Sequence, residues 1–145
     1  MTAHDLFFPA LAQVGITFFL LIWMGRVRVR ALAGEKVRVG QIALGQRAWP
    51  EHAQRVSNAF HNQLEMPILF YAALVFAIQF QLGTGWFVLL AWLFVASRLA
   101  HLFFQISGRN IRARFAAFCA GALALGLMWI MLGVHVVLTA PVGAG

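Results

Sequence analysis

Asn58, Asn62 and Glu65 recur at i, i+4 and i+7, which aligns two amides and a carboxylate on one face of a helix leading into the apolar segment Ile68–Phe80. A second set, Arg98, His101 and Gln105, recurs at i, i+3 and i+7 inside another apolar segment. Arg112 follows Arg98 by two heptads and shares nearly the same face if the helix continues through Gly108. The two faces combine guanidinium cations, a carboxylate and several hydrogen-bonding groups. Arginine is the side chain best suited to bidentate carboxylate recognition, so a zwitterion with two carboxylates and one ammonium matches the inventory. A guanidinium also stabilises a developing thiolate by proximity of charge. Ionisable groups inside a membrane are costly, and they face a protein interior, a cavity or a partner charge. The alternatives are structural: a Glu65–Arg98 ion pair or interhelical hydrogen bonds that fix packing, or an Arg98 side chain that snorkels to the headgroups.

The elements that must position these residues are long and apolar. The chain has 145 residues, of which 62% are hydrophobic and 10% charged, and its mean hydropathy is +0.82. These values lie far from those of soluble domains. With about 20 residues needed to cross a bilayer as a helix, four spans are expected at roughly Leu6–Met24, Leu64–Gln81, Trp86–Phe104 and Phe115–Thr139. The expected fold is an all-α membrane protein, a four transmembrane helix up-down bundle forming a single polytopic domain over residues 1–145. Residues 25–50 read as the end of helix one followed by a loop. Pro50 and Glu51 suit a helix start, so helix two is expected from about Pro50 to near Gln81. At about 1.5 Å per residue it reaches roughly 48 Å and projects from the membrane, leaving Asn58, Asn62 and Glu65 at or just below the interface. Pro67 is a candidate kink, and Gly83-Thr84-Gly85 is a tight turn that brings helix three back antiparallel.

The net charge of +7 is concentrated in two places. Arg26, Arg28, Arg30, Lys36, Arg38, Arg47 and Arg55 precede span two, and Arg109, Arg112 and Arg114 lie between spans three and four. Both basic regions are therefore expected to be cytoplasmic, with both termini on the non-cytoplasmic side. The location expected is multi-pass, in a bacterial inner membrane. This distribution fits a topology signal and anionic-lipid contact rather than nucleic acid. Arg109 and Arg114 read as topology determinants, whereas Arg112 is open between that role and the site. Asp5, and the lack of Lys or Arg before the first span, oppose a cleaved signal. His61 reads as off the Asn62–Glu65 face. His135 has no His, Cys or carboxylate at ligand spacing, so no metal site is expected. The single cysteine, Cys119, reads as packing.

Asn62-x-x-Glu65 followed by Pro67 and Phe70, with Arg98 in the third span and Arg112 fourteen residues later, resembles the MAPEG family, membrane-associated proteins in eicosanoid and glutathione metabolism. The resemblance covers most of the chain. It implies a homotrimer of four-helix protomers that holds glutathione between subunits at the cytoplasmic side, with a lipophilic small molecule as second substrate. On this resemblance Asn62 and Glu65 bind the glutathione backbone and amino group, Arg98 holds a carboxylate and Arg112 activates the thiol. Asn58, His101 and Gln105 line the same site. A helix-one arginine also contributes, with Arg26, Arg28 and Arg30 as candidates and Arg30 taken with the binding residues. The activity implied is glutathione transferase or peroxidase chemistry on lipophilic electrophiles or hydroperoxides. The chain departs from well-studied eicosanoid members at Asn58, where they carry arginine, and at Met66, His101 and Gln105, where they carry tyrosines. Its one tyrosine, Tyr71, lies deeper in span two. These departures support the alternative of a non-catalytic membrane scaffold or lipid-binding protein that keeps the fold.

Overall fold

A computed structural model describes residues 3–34, 37, 40, 42, 49–82, 84–108 and 110–139. Among these, four long helices carry the fold: α1 (Ala3–Gly34), α2 (Glu51–Gln79), α3 (Gly85–Ser107) and α4 (Ile111–Thr139). The start of α2 at Pro50 is as expected, with Pro50 at the N-cap and Glu51 in the first turn. Helix α1 continues to Gly34, well beyond Met24, so Arg26, Arg28 and Arg30 are helical. Hydropathy marks where a helix leaves lipid, and the backbone can continue past that point. Lys36, Arg38, Arg47, Gly83, Arg109 and the carboxyl tail lie outside the described residues.

Helices α1, α3 and α4 are each long and apolar enough to cross a membrane. Helix α2 is equally long as α4, at 29 residues. Its N-terminal half is polar and its apolar run begins only at Pro67. It therefore falls outside the group that qualifies by length and composition alone.

The chain reverses direction at each connection. Buried Gln13 and Gln63 meet at 2.8 Å, and Arg28 reaches Ser57, so residue numbers run in opposite senses on α1 and α2. Helix α2 ends in a Schellman turn: Leu82 N–H donates to the Ala77 carbonyl at 2.8 Å and Gln81 N–H to the Ile78 carbonyl at 3.2 Å. Gln81 holds the left-handed position at φ 54°, and buried Leu82 carries the chain into the core. Helix α3 ends at Gly108, which is left-handed at φ 64°. A Cβ at Gly108 would meet only the end of the flexible Arg55 side chain, so glycine there serves chiefly the left-handed turn.

Helices α3 and α4 share the most extensive packing, α1 packs chiefly on α2, and α2 and α3 both touch every other helix. The main core joins Leu6, Phe70, Leu74, Phe87, Phe94, Leu125, Met128 and Leu132. A smaller cluster of Leu20, Ala59 and Leu102 lies toward the other end. Gly121 sets the α3–α4 distance, because a Cβ there would stand 2.5 Å from Ser97 Oγ.

Candidate functional site

Between α2, α3 and the first turns of α4 lies a cavity of about 620 Å³, lined by Asn58, His61, Asn62, Glu65, Met66, Arg98, His101, Gln105, Ile111, Arg114, Phe115 and Phe118. The volume falls within the roughly 300–1,000 Å³ usual for small-molecule sites. Both polar faces read from the sequence thus meet in one cavity. Six of the expected residues line it: Asn58, Asn62, Glu65, Arg98, His101 and Gln105.

Arg98 is the most buried cation, 1% exposed. Its Nη2 donates to the Asn62 carbonyl at 2.7 Å, and its Nη1 lies 3.9 Å from Met66 Sδ. Its Nε is buried without a partner. The bond to Asn62 joins the third helix to the second one turn before Pro67, which cannot supply the N–H that the Gln63 carbonyl would otherwise accept. Arg98 therefore does not snorkel to the interface. One turn deeper, Phe70 and Phe94 stack with ring centroids 4.4 Å apart, closing off the core below the guanidinium.

Glu65 is exposed. Among the described residues it forms no salt bridge with Arg98; Glu51 and Arg55, one turn apart near the start of α2, form an ion pair. A carboxylate at the cavity edge and a guanidinium with a spare donor at its base leave space between them for a third partner carrying both signs.

A hydrogen-bonded chain crosses the site. The side-chain amides of Asn62 and Gln105 meet at 2.8 Å. Gln105 Oε1 lies 3.0 Å from His101 Nε2, and His101 Nδ1 lies 3.1 Å from the Arg114 carbonyl oxygen. His101 and Gln105 are both buried.

The arginines after α3 are arranged differently from the expectation. The two-heptad argument for Arg112 needed one helix through Gly108, and α3 stops there. A new helix begins with Asn110, whose Oδ1 accepts from Ala113 N–H at 3.0 Å as an N-cap. The restart changes the angular phase, so Arg114 lines the cavity and Arg112 is exposed outside it. Arg30 is also exposed and outside the cavity, as is Arg26. Of the α1 arginines, Arg28 is the one that packs on α2, donating to Ser57 Oγ at 2.8 Å and standing 5.0 Å over the Trp49 ring. His61, expected off the polar face, lines the cavity one turn before Glu65.

Arg114 and His61 are the polar lining residues that sequence reasoning missed, beside the apolar Ile111, Phe115 and Phe118. For Arg114 the signal was present in the stop-and-start pair Gly108 and Asn110, which resets the helical register. For His61 it was the i, i+4 relation to Glu65. Among the described residues no group of His, Cys, Asp or Glu is arranged to hold a metal ion, and Cys119 is exposed on α4.

Comparison with known proteins supplies one match. A family model described as the MAPEG family aligns with residues 6–134. No curated protein and no solved structure matches the chain.

Proposed function

Because the chain belongs to the MAPEG family, whose members are glutathione-related transferases and peroxidases or non-catalytic proteins, we propose that its polar cavity binds glutathione and presents the thiolate to a lipophilic electrophile or hydroperoxide. The observation that carries this reading is the pairing of Arg98, whose buried Nε has no partner among the described residues, with Glu65, a carboxylate at the edge of the same cavity that forms no salt bridge among those residues. A tripeptide with two carboxylates and an ammonium complements that pair. Arg98 holds a carboxylate, Glu65 the ammonium, and Asn58 and Asn62 the peptide groups.

Arg114 is the better candidate for the thiolate partner, since Arg112 does not line the cavity of the single chain. A guanidinium beside the sulfur stabilises the anion and lowers the thiol pKa by about 1–3 units. The proton leaves to solvent. In conjugation the sulfur lone pair then forms a C–S bond as the leaving group departs with its bonding electrons. In peroxide reduction the sulfur attacks one peroxide oxygen and the O–O bond breaks to release an alkoxide. The alkoxide takes a proton from solvent, and a second glutathione thiol attacks the sulfur of the resulting glutathione sulfenic acid to form the disulfide with loss of water.

The protein is further proposed to be a homotrimer in a lipid bilayer, with its basic turns on the cytoplasmic side. Asn58, His61 and Glu65 are exposed in a single chain, as expected of a site completed by a neighbouring subunit. The apolar side chains exposed on the helices, such as Phe18, Ile68, Trp86 and Phe103, suit lipid or subunit contact.

The competing reading is a scaffold that has kept the fold. The closed hydrogen-bond chain Asn62–Gln105–His101–Arg114 favours it, because these groups find partners without any ligand. Turnover of a chlorodinitrobenzene-type electrophile by the purified protein separates the two. Glutathione-dependent turnover that Arg114→Ala abolishes supports catalysis, and its absence in protein that binds glutathione leaves the scaffold.

A further inference from the structure

We propose that His101 is a positioning residue whose imidazole holds the first turn of α4 against α3, so that Arg114 faces the glutathione thiol. The proposal rests on the glutathione reading and goes beyond it by assigning a role to a residue that need not touch the ligand.

Three observations support it. The connection from α3 to α4 turns on Gly108, whose left-handed backbone lacks a side chain to brace it. The N-cap on Asn110 ties α4 only to its own first turn. The bond between His101 Nδ1 and the Arg114 carbonyl thus fastens this part of α4 to α3, and it ends on a residue that lines the cavity. Through Gln105 the same ring is linked to Asn62 on the face of α2 that lines the cavity.

The polarity of the chain is set by its ends. The Arg114 carbonyl is an acceptor, so Nδ1 must carry the proton. Oxygen and nitrogen of a side-chain amide are interchangeable in heavy-atom geometry. With the Gln105 and Asn62 amides turned end for end, Gln105 donates one N–H to His101 Nε2 and the other to Asn62. A neutral ring then gives each of the three contacts one donor and one acceptor, and the Asn62 N–H2 becomes available to a ligand. This arrangement requires a donor where Nδ1 stands and only an acceptor where Nε2 stands.

Asparagine and glutamine dissect the two ends, because an asparagine nitrogen can take the position of Nδ1 and a glutamine side chain can reach that of Nε2. His101→Asn keeps the fastening to Arg114 and loses the link to Gln105. His101→Gln does the reverse, and His101→Phe loses both. Hydrogen exchange of the backbone amides of residues 115–118 in purified protein without glutathione reads the fastening directly. The ultraviolet absorbance of glutathione thiolate, with kcat and KM, reads its consequence. Expected is near wild-type protection for His101→Asn, with a thiolate signal and kcat closer to wild type than in the other two variants. His101→Gln and His101→Phe should show faster exchange and a kcat reduced about tenfold, with KM changed less than about threefold. The proposal is overturned if His101→Asn exchanges like His101→Phe, or if His101→Gln retains wild-type protection. If the wild-type protein gives no thiolate signal, the glutathione reading fails, and the exchange comparison still decides whether His101 fastens α4.

Discussion

At the scale of single residues, the account turns on which arginine faces the cavity. Arg114→Ala should lower the conjugation rate at neutral pH by about tenfold or more, since the thiolate loses the charge that shifts its pKa by about 1–3 units. Because an adjacent cation lowers a thiol pKa, removing it raises that pKa, and the pH–rate profile of the variant should move upward by a comparable amount. Arg112→Ala should stay near the wild-type rate. The reverse pattern in steady-state kinetics would return the role to Arg112. Glu65→Gln removes the partner proposed for the ligand ammonium without altering side-chain volume much. A hydrogen bond to a charged group contributes about 1.5–3 kcal/mol, so calorimetric affinity for glutathione should fall by roughly tenfold or more. Because Glu65 is exposed and makes no salt bridge with Arg98, unliganded stability should be nearly unchanged.

At the scale of helices, the turns decide what the side chains can reach. Gln81 occupies the left-handed position of a Schellman turn that glycine usually fills. Gln81→Gly should therefore preserve or slightly raise the melting temperature, in contrast to its usual cost within a helix. At Gly108 the opposite substitution is unfavourable because of the positive φ, whereas the end of the Arg55 side chain can move aside. Gly108→Val should lower stability by about 1–3 kcal/mol in thermal or denaturant unfolding, and it should also reduce turnover because Arg114 lies just beyond the turn. The same residue shows where the sequence was legible. The polar face of α2 could be read because its amides and carboxylate repeat at helical spacing and Pro50 marks the start. The phase of α4 could not be read by counting from Arg98, because the left-handed turn at Gly108 breaks the periodicity. The extent of α1 was hidden for a related reason: Arg26, Val27, Arg28, Val29 and Arg30 end the apolar run while the helix continues to Gly34.

At the scale of the whole molecule, α2 and α3 form the centre of the bundle, and α1 and α4 pack against both. The site lies where those central helices meet the start of α4, so its residues come from three elements that must all be in register. Composition and long apolar runs were enough to predict four helices and a membrane. They could not specify the cavity, which depends on the close approach at Gly121 and on an arginine buried against a backbone carbonyl. If the cavity exists to receive glutathione, the ligand binds only the folded bundle and must stabilise it by mass action. Thermal unfolding of the purified protein in detergent, with and without saturating glutathione, is the most direct measurement. The account predicts a higher melting temperature with glutathione, an increase abolished by Glu65→Gln with Arg114→Ala combined. An unchanged melting temperature for the wild-type protein at saturating glutathione would contradict it.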